Sequence, residues 1–175
     1  YPLVAINRKI EEISVDTVAV NNVKGSMLAV NHLIKLGRKA IAMIVYPPEG
    51  ISPRVERIEG YVKALEKNGF TRDDTLIRII QEQKGLAKEE VKKLLTSKKK
   101  PDAIFSTNNM MTLEILEGIK ELGLVIPRDI SLIGYDETVW SKHLNPPLTT
   151  VNQPSYEMGK LAAERLIDRL SLKDE

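Results

Sequence analysis

Three short and almost wholly apolar runs set the strongest limit on what this chain can become. They are Ala40 to Val45, Asp102 to Ser106 and Ile130 to Ile133. A strand whose successive residues are apolar, and not only every second one, has both faces covered, which is the condition of a parallel sheet. Between the runs lie helical patterns. Val23, Met27, Val30 and Ile34 recur at steps of four, three and four and predict a helix over 23–36, with Asn22 as its cap and Gly37 closing it. Ser52-Pro53 predicts a second helix start, a hydroxyl cap followed by proline at the first helical position. Val55, Ile58, Val62 and Leu65 form its inner stripe, and Gly69 ends it. Further strands are predicted over 2–6, 17–20, 76–80 and 148–151, with helices over 86–95, 110–122 and 155–170. A charged link from Lys9 to Ser14 joins the first two strands. Strands alternating with helices in this way make βαβ units. The fold class is therefore α/β, a doubly wound parallel sheet with helices on both faces.

At 175 residues, 42% hydrophobic and 29% charged, the chain has the makings of one ordinary globular core. No apolar run approaches the ~20 residues of a membrane span, and Tyr1 to Ile6 lacks the basic flank of a secretion signal. With no cysteine there is neither a disulfide framework nor a thiolate metal site, which fits a cytoplasmic location. A net charge of +2 is too small to imply nucleic acid as a direct partner. The one basic run, Lys98-Lys99-Lys100, precedes Pro101 and reads as a loop.

In a parallel sheet every strand-to-helix loop opens on the same edge, where such folds bind ligands. Three loops bring polar residues there: Arg57 in the first turns of its helix, Asn108 before Met110, and Asp136 after Tyr135. A guanidinium donates in a fixed fork, an amide both donates and accepts, and a carboxylate accepts, so together they suit a polyhydroxylated or heterocyclic ligand. Each has a plainer reading: Arg57 as a solvated charge, Asn108 as a helix cap, Asp136 as the cap of a following short helix. Catalysis finds little support. No nucleophile elbow, P-loop or dinucleotide fingerprint is present, and neither His32 nor His143 has a spaced partner for a metal or a nucleophile. No metal and no cofactor are expected. On the helix over 110–122, Met111, Ile115, Ile119 and Leu122 make a core stripe, while Met110 and Leu113 lie apart from it beside Glu117 and Lys120. Apolar residues set among charges mark either a subunit contact or scattered surface hydrophobes.

The run Ile130-Ser-Leu-Ile-Gly-Tyr-Asp136, followed by Pro146-Pro-Leu-Thr-Thr-Val-Asn-Gln-Pro154, resembles the C-terminal signature of the LacI/GalR family of bacterial transcriptional regulators. Asn21-Asn22-x-x-Gly25 with His32-Leu33-Ile34, Arg57-x-x-Gly60-Tyr61, Pro101-x-Ala-Ile-Phe105 and Gly123-x-x-Ile126-Pro127 carry the likeness from about Pro2 to Leu170. The family implies a two-lobed effector domain like that of periplasmic sugar-binding proteins, behind a helix-turn-helix head that residues 1–175 do not include. It implies that 1–21 are a remnant of the first lobe and crossover, 22–150 the second lobe, and 151–175 the crossover and the closing helix of the first lobe. By the resemblance Asn7, Arg57, Asn108 and Asp136 match positions that hold effector in an inter-lobe cleft, and Leu113 and Leu144 match positions at a homodimer contact. Operator DNA is then a partner only through the absent head. A sugar-binding protein of a transport system is the alternative with the same fold. The sequence departs from the family pattern at Asn21, Arg38 and Asn109, and it has no aromatic near Gln81-Glu82 to stack on a ligand.

Overall fold

The computed structural model describes residues 1–10 and 13–171. The expected charged link from Lys9 to Ser14 lies partly outside them, at 11–12, as does the end of the expected last segment, at 172–175. Five strands form one parallel sheet: β3 (Ile41–Val45), β4 (Ile77–Ile79), β5 (Ala103–Ser106), β6 (Ser131–Tyr135) and β7 (Thr149–Val151), in the order β4-β3-β5-β6-β7. The three apolar runs become the three central strands, β3, β5 and β6, each buried from end to end. Alternation along β3 feeds two cores. Ile41, Met43 and Val45 face α1 (Asn22–Lys35) and α2 (Ser52–Lys67), while Ala42 and Ile44 face α3 (Leu86–Thr96) and α4 (Asn109–Glu121). Phe105 and Tyr135 join the first core, Ile104 and Leu132 the second.

A smaller unit stands beside this sheet. β1 (Val4–Ile6) and β2 (Asp16–Val18) pair in parallel, and α5 (Ser155–Ser171) packs against them. Arg165 and Arg169 both donate to Asp16, at 2.7 and 3.0 Å, and tie the helix to β2. On α5, Met158 and Ala162 are buried and Leu166 half-buried, but Leu170 is exposed, so the apolar stripe expected there stops a turn early. β7 ends at Val151, where the strand expected over 148–151 ends.

Two expected helix caps are corrected. Asn21, not Asn22, caps α1: its side-chain Oδ1 accepts from Lys24 N at 2.8 Å. Ser52 does not cap α2, whose cap residue is Ile51 with no side-chain bond; the Ser52 hydroxyl accepts instead from the Lys9 backbone nitrogen at 3.0 Å. Pro53 alone marks the start, since its missing N–H is one that no helix needs there. The strand expected over 76–80 is shortened to β4, because Asp73 accepts from Thr75 N and turns Asp74–Leu76 into a 3₁₀ turn.

Candidate functional site

The C-terminal ends of β3, β5 and β6 deliver their loops to one edge of the sheet, and α2 leans over it. Arg57 lies in the second turn of α2 and is only 7% exposed. Its Nε donates to Asn22 Oδ1 at 3.1 Å, and one terminal nitrogen donates to the carbonyl of Thr107 at 2.6 Å. The other terminal nitrogen has no hydrogen bond among the described residues. The guanidinium carbon sits 3.7 Å from the centre of the Tyr135 ring, within cation–π range. Arg57 takes part in none of the ion pairs among the described residues. Burial, opposed by the neighbouring Tyr135 and Asp136, pulls its pKa below the ordinary arginine value. An arginine starts so high that it stays cationic. The plainer reading of Arg57 as a solvated surface charge is excluded by its burial.

Tyr135 completes this arrangement from β6. Its hydroxyl donates to the same Asn22 oxygen at 3.2 Å, and burial raises its pKa. Gly25 makes room for it: a Cβ there would stand 2.8 Å from the Tyr135 oxygen. Next along the chain, Asp136 has φ +70°, and its nitrogen donates to Val151 O at 2.8 Å. One of its carboxylate oxygens accepts from Gln153 Nε2. The cap of the following 3₁₀ turn (Val139–His143) is Thr138, so Asp136 is not a helix cap. Asn108 is one. It is extended, and its Oδ1 accepts from Met110 N and Met111 N at 2.9 and 3.1 Å. That use of the oxygen turns the amide nitrogen, with two donors, away from the helix.

Asn7 closes β1. Its nitrogen donates to Val18 O at 2.8 Å, and its Oδ1 is enclosed without a hydrogen-bond partner among the described residues. Asn7, at φ +65°, and Asp136 are the two non-glycine residues with positive φ among the described residues. Asn and Asp tolerate the left-handed region better than other side chains do, but holding it costs roughly 1–3 kcal/mol, and such strain clusters at functional sites.

Sequence reasoning missed Asn22, Tyr135, Thr107 and Gln153 as parts of this arrangement. Asn22 reads as the helix cap, the role that its neighbour Asn21 fills. Tyr135 and Gln153 lie inside quoted motifs, the only signal that points to them. On the same edge Tyr46 follows β3, but it is 9% exposed, and the Arg54 guanidinium covers its ring at 5.2 Å. Arg54 also donates to Glu82 at 2.6 Å. Among the described residues, the Tyr46 ring near Glu82 is therefore a covered one. Of the residues expected at a dimer contact, Met110 is 61% exposed and Leu113 half-buried on α4, while Leu144 is half-buried past the 3₁₀ turn. Leu144 lines a separate, mostly apolar concavity of about 660 Å³ with Leu116, Ile119, Leu132 and Leu148; none of the four candidate effector residues reaches it. Among the described residues no cluster of His, Cys, Asp and Glu suits a metal ion, and no helix is long and apolar enough to cross a membrane.

A family profile described as a periplasmic binding protein-like domain matches residues 30–175. The probable HTH-type transcriptional regulator EndR of Paenibacillus polymyxa is 38% identical over 179 aligned positions, covering 100% of this chain and 52% of that protein. Among solved structures, a regulatory protein of the LacI family from Chloroflexus aggregans superposes with a TM-score of 0.90 at 26% identity, covering 98% of this chain and 61% of that one. A complex of the transcriptional regulator CelR with cellobiose gives 0.87 at 31% identity, over 97% of this chain and 52% of that one. The chain belongs to the LacI/GalR family and has its periplasmic-binding-protein-like effector domain fold. It spans about half the length of the curated relatives it matches.

Proposed function

We propose that residues 1–175 are the effector-sensing part of a cytoplasmic transcriptional regulator, and that the effector is a sugar or a related polyhydroxylated metabolite. The observation that carries this reading is the Arg57 fork, buried, held by Thr107 and Asn22, and with neither a carboxylate partner nor a use for one terminal nitrogen among the described residues. The fork is held in place by two of its nitrogens and leaves the third open at the sheet edge, so this geometry suits a ligand that supplies an acceptor there. Asp136 then accepts from ligand hydroxyls with the oxygen Gln153 leaves free, Asn108 donates through its amide, and Asn7 accepts from the first lobe. Such a set suits a neutral ligand carrying both donors and acceptors. The similar solved structure of CelR is a complex with cellobiose, which supports a sugar.

In this reading residues 22–150 are the second lobe, and 1–21 and 151–175 belong to the crossovers and the first lobe. Ligand bridging the lobes favours one lobe orientation only to the extent that it binds that orientation more tightly. The intact protein is a homodimer joined through Met110, Leu113 and Leu144, and it reaches operator DNA through a helix-turn-helix head outside residues 1–175. The protein has no catalytic role. Matched relatives bearing the names of transcriptional regulators support the regulator over a transport protein.

Calorimetric titration of the intact protein with cellobiose, other sugars and nucleosides tests the reading. Arg57→Ala and Asp136→Ala are each expected to weaken the sugar that binds by about 2 kcal/mol or more, because each strands a polar partner. Unchanged affinity in both variants removes these residues from the site.

A further inference from the structure

The sensor reading leaves one cluster without a role. Glu56 precedes Arg57 on α2, and its side chain is 18% exposed. One of its carboxylate oxygens accepts from Lys9 Nζ at 2.6 Å, and the other accepts from Asn22 Nδ2 at 3.0 Å. Asn22 is fully buried, and its own oxygen receives Arg57 Nε and the Tyr135 hydroxyl. The chain of contacts thus runs Lys9, Glu56, Asn22, Arg57, with Tyr135 joined at the third step.

The order of these groups fixes their polarity. A carboxylate only accepts, so the Asn22 amide must turn its nitrogen toward Glu56. Its oxygen then faces the guanidinium. Turned over, the amide would set oxygen against carboxylate and N–H against guanidinium, and the bonds to Glu56 and Arg57 would be lost together. Glu56 therefore holds Asn22, together with the Val20 carbonyl that the same nitrogen reaches at 3.4 Å, in the orientation the arginine needs, and with it the angle at which Arg57 lies over the Tyr135 ring.

The far end of the chain belongs to a different part of the molecule. Lys9 sits in the link after β1, and β1 and β2 form a two-stranded sheet of their own that packs with α5. Lys9 touches α2 twice, through its ammonium on Glu56 and through its backbone nitrogen on Ser52 Oγ. Its side chain is 62% exposed, so the ion pair is the link that water can break, while the buried Glu56–Asn22–Arg57 portion persists. A shift of the small unit against the sheet reaches Glu56 first.

We propose that Glu56 is a positioning residue that ties the setting of the Arg57 guanidinium to the place of the Lys9 link, so that movement between the lobes is felt at the effector arginine. The meaning of this coupling rests on Arg57 being an effector residue, but its test needs no effector. In the intact, ¹⁵N-labelled protein the Arg57 Nε–H gives a side-chain correlation shifted by the Tyr135 ring beneath it, and Arg57→Lys assigns that signal by deleting it. Glu56→Ala is expected to speed exchange of this proton with water at least about tenfold, as loss of a hydrogen bond to a charged group implies, and to move the signal out of its ring-shifted position. Glu56→Gln, whose carbonyl still accepts from Asn22, restores the shift. Lys9→Met, an exposed substitution, speeds exchange by a smaller but measurable factor while backbone amide signals of β3, β5 and β6 stay in place.

Wild-type shift and exchange in Glu56→Ala overturn the positioning role, and so does equal loss in Glu56→Ala and Glu56→Gln. An unaltered Arg57 signal in Lys9→Met overturns the coupling to the link, and decides that point even where Glu56→Ala does not fold. Should these effects appear in a protein that binds none of the sugars or nucleosides titrated, the coupling stands and the sensor reading falls.

Discussion

Asp129 closes the turn between α4 and β6 by holding groups on both sides of itself. Its carboxylate accepts from Arg128, at 3.0 and 2.9 Å, and from the Val125 backbone nitrogen at 2.9 Å. Those donors, the Arg128 bond foremost, bring its pKa down to about 2. The folded value lies below the unfolded one, so the stabilisation is fully present above the unfolded pKa of roughly 3.9 and fades as pH falls toward 2. Asp129→Asn is therefore expected to be less stable than wild type at pH 7 and to lose less on acidification. Urea midpoints measured from pH 6 to pH 2 check this, and parallel acid limbs in the two proteins would count against it. Legibility in the sequence differs sharply at this scale. Arg57, Asn108 and Asp136 are readable because they sit at strand ends and early helix turns. The choice between Asn21 and Asn22 is not, since the two are identical and one backbone step decides which caps and which is buried. The partner that claims Asn22 lies 35 residues away on α2.

Helix pairs meet closely at two glycines, and close approach fixes the angle at which α2 hangs over the sheet edge. A Cβ on Gly60 would press into the carbonyl oxygen of Val23 on α1, and one on Gly118 would stand 2.5 Å from the Val91 side chain on α3. Backbone cannot swing aside as a side-chain tip can. Gly60→Ala is accordingly expected to destabilise by about 1–3 kcal/mol despite alanine's better helix propensity. Gly159 is the control: it lies on exposed α5 with nothing within 4 Å of its virtual Cβ. There Ala should stabilise by roughly 0.5–1 kcal/mol. Chemical unfolding of the two variants must give opposite signs. Helix existence was legible because the apolar spacing repeats over several turns. Strand ends were less so: β4 is cut short by a side-chain bond from Asp73, and β1 begins only at Val4. Such limits are set by single local hydrogen bonds that leave no periodic trace.

The parallel sheet, with one edge on which its strand-to-helix loops open, follows from three apolar runs and the helices between them, so at the scale of the molecule the position of Arg57, Asn108 and Asp136 along that edge was legible. The strand order β4-β3-β5-β6-β7 carries no such trace, because it depends on which crossovers pack on which face. The same holds for the proposed dimer. Met110 and Leu113 depart from the core stripe of α4, and Leu113 is half-buried beside the 61% exposed Met110. A residue at that depth contributes little to the fold of one chain but much to a contact that would cover it. Leu113→Glu places a charge where the proposed partner would strip away its water, and an unpaired buried charge costs several kcal/mol. In the intact protein the dimer dissociation constant is expected to rise by about a hundredfold or more, equivalent to roughly 3 kcal/mol. The circular dichroism spectrum should be unchanged. Sedimentation across a range of concentrations reads both species. A variant that remains dimeric at wild-type strength would move the contact off this face of α4, and with it the route by which a change of lobe angle passes from one subunit to the other.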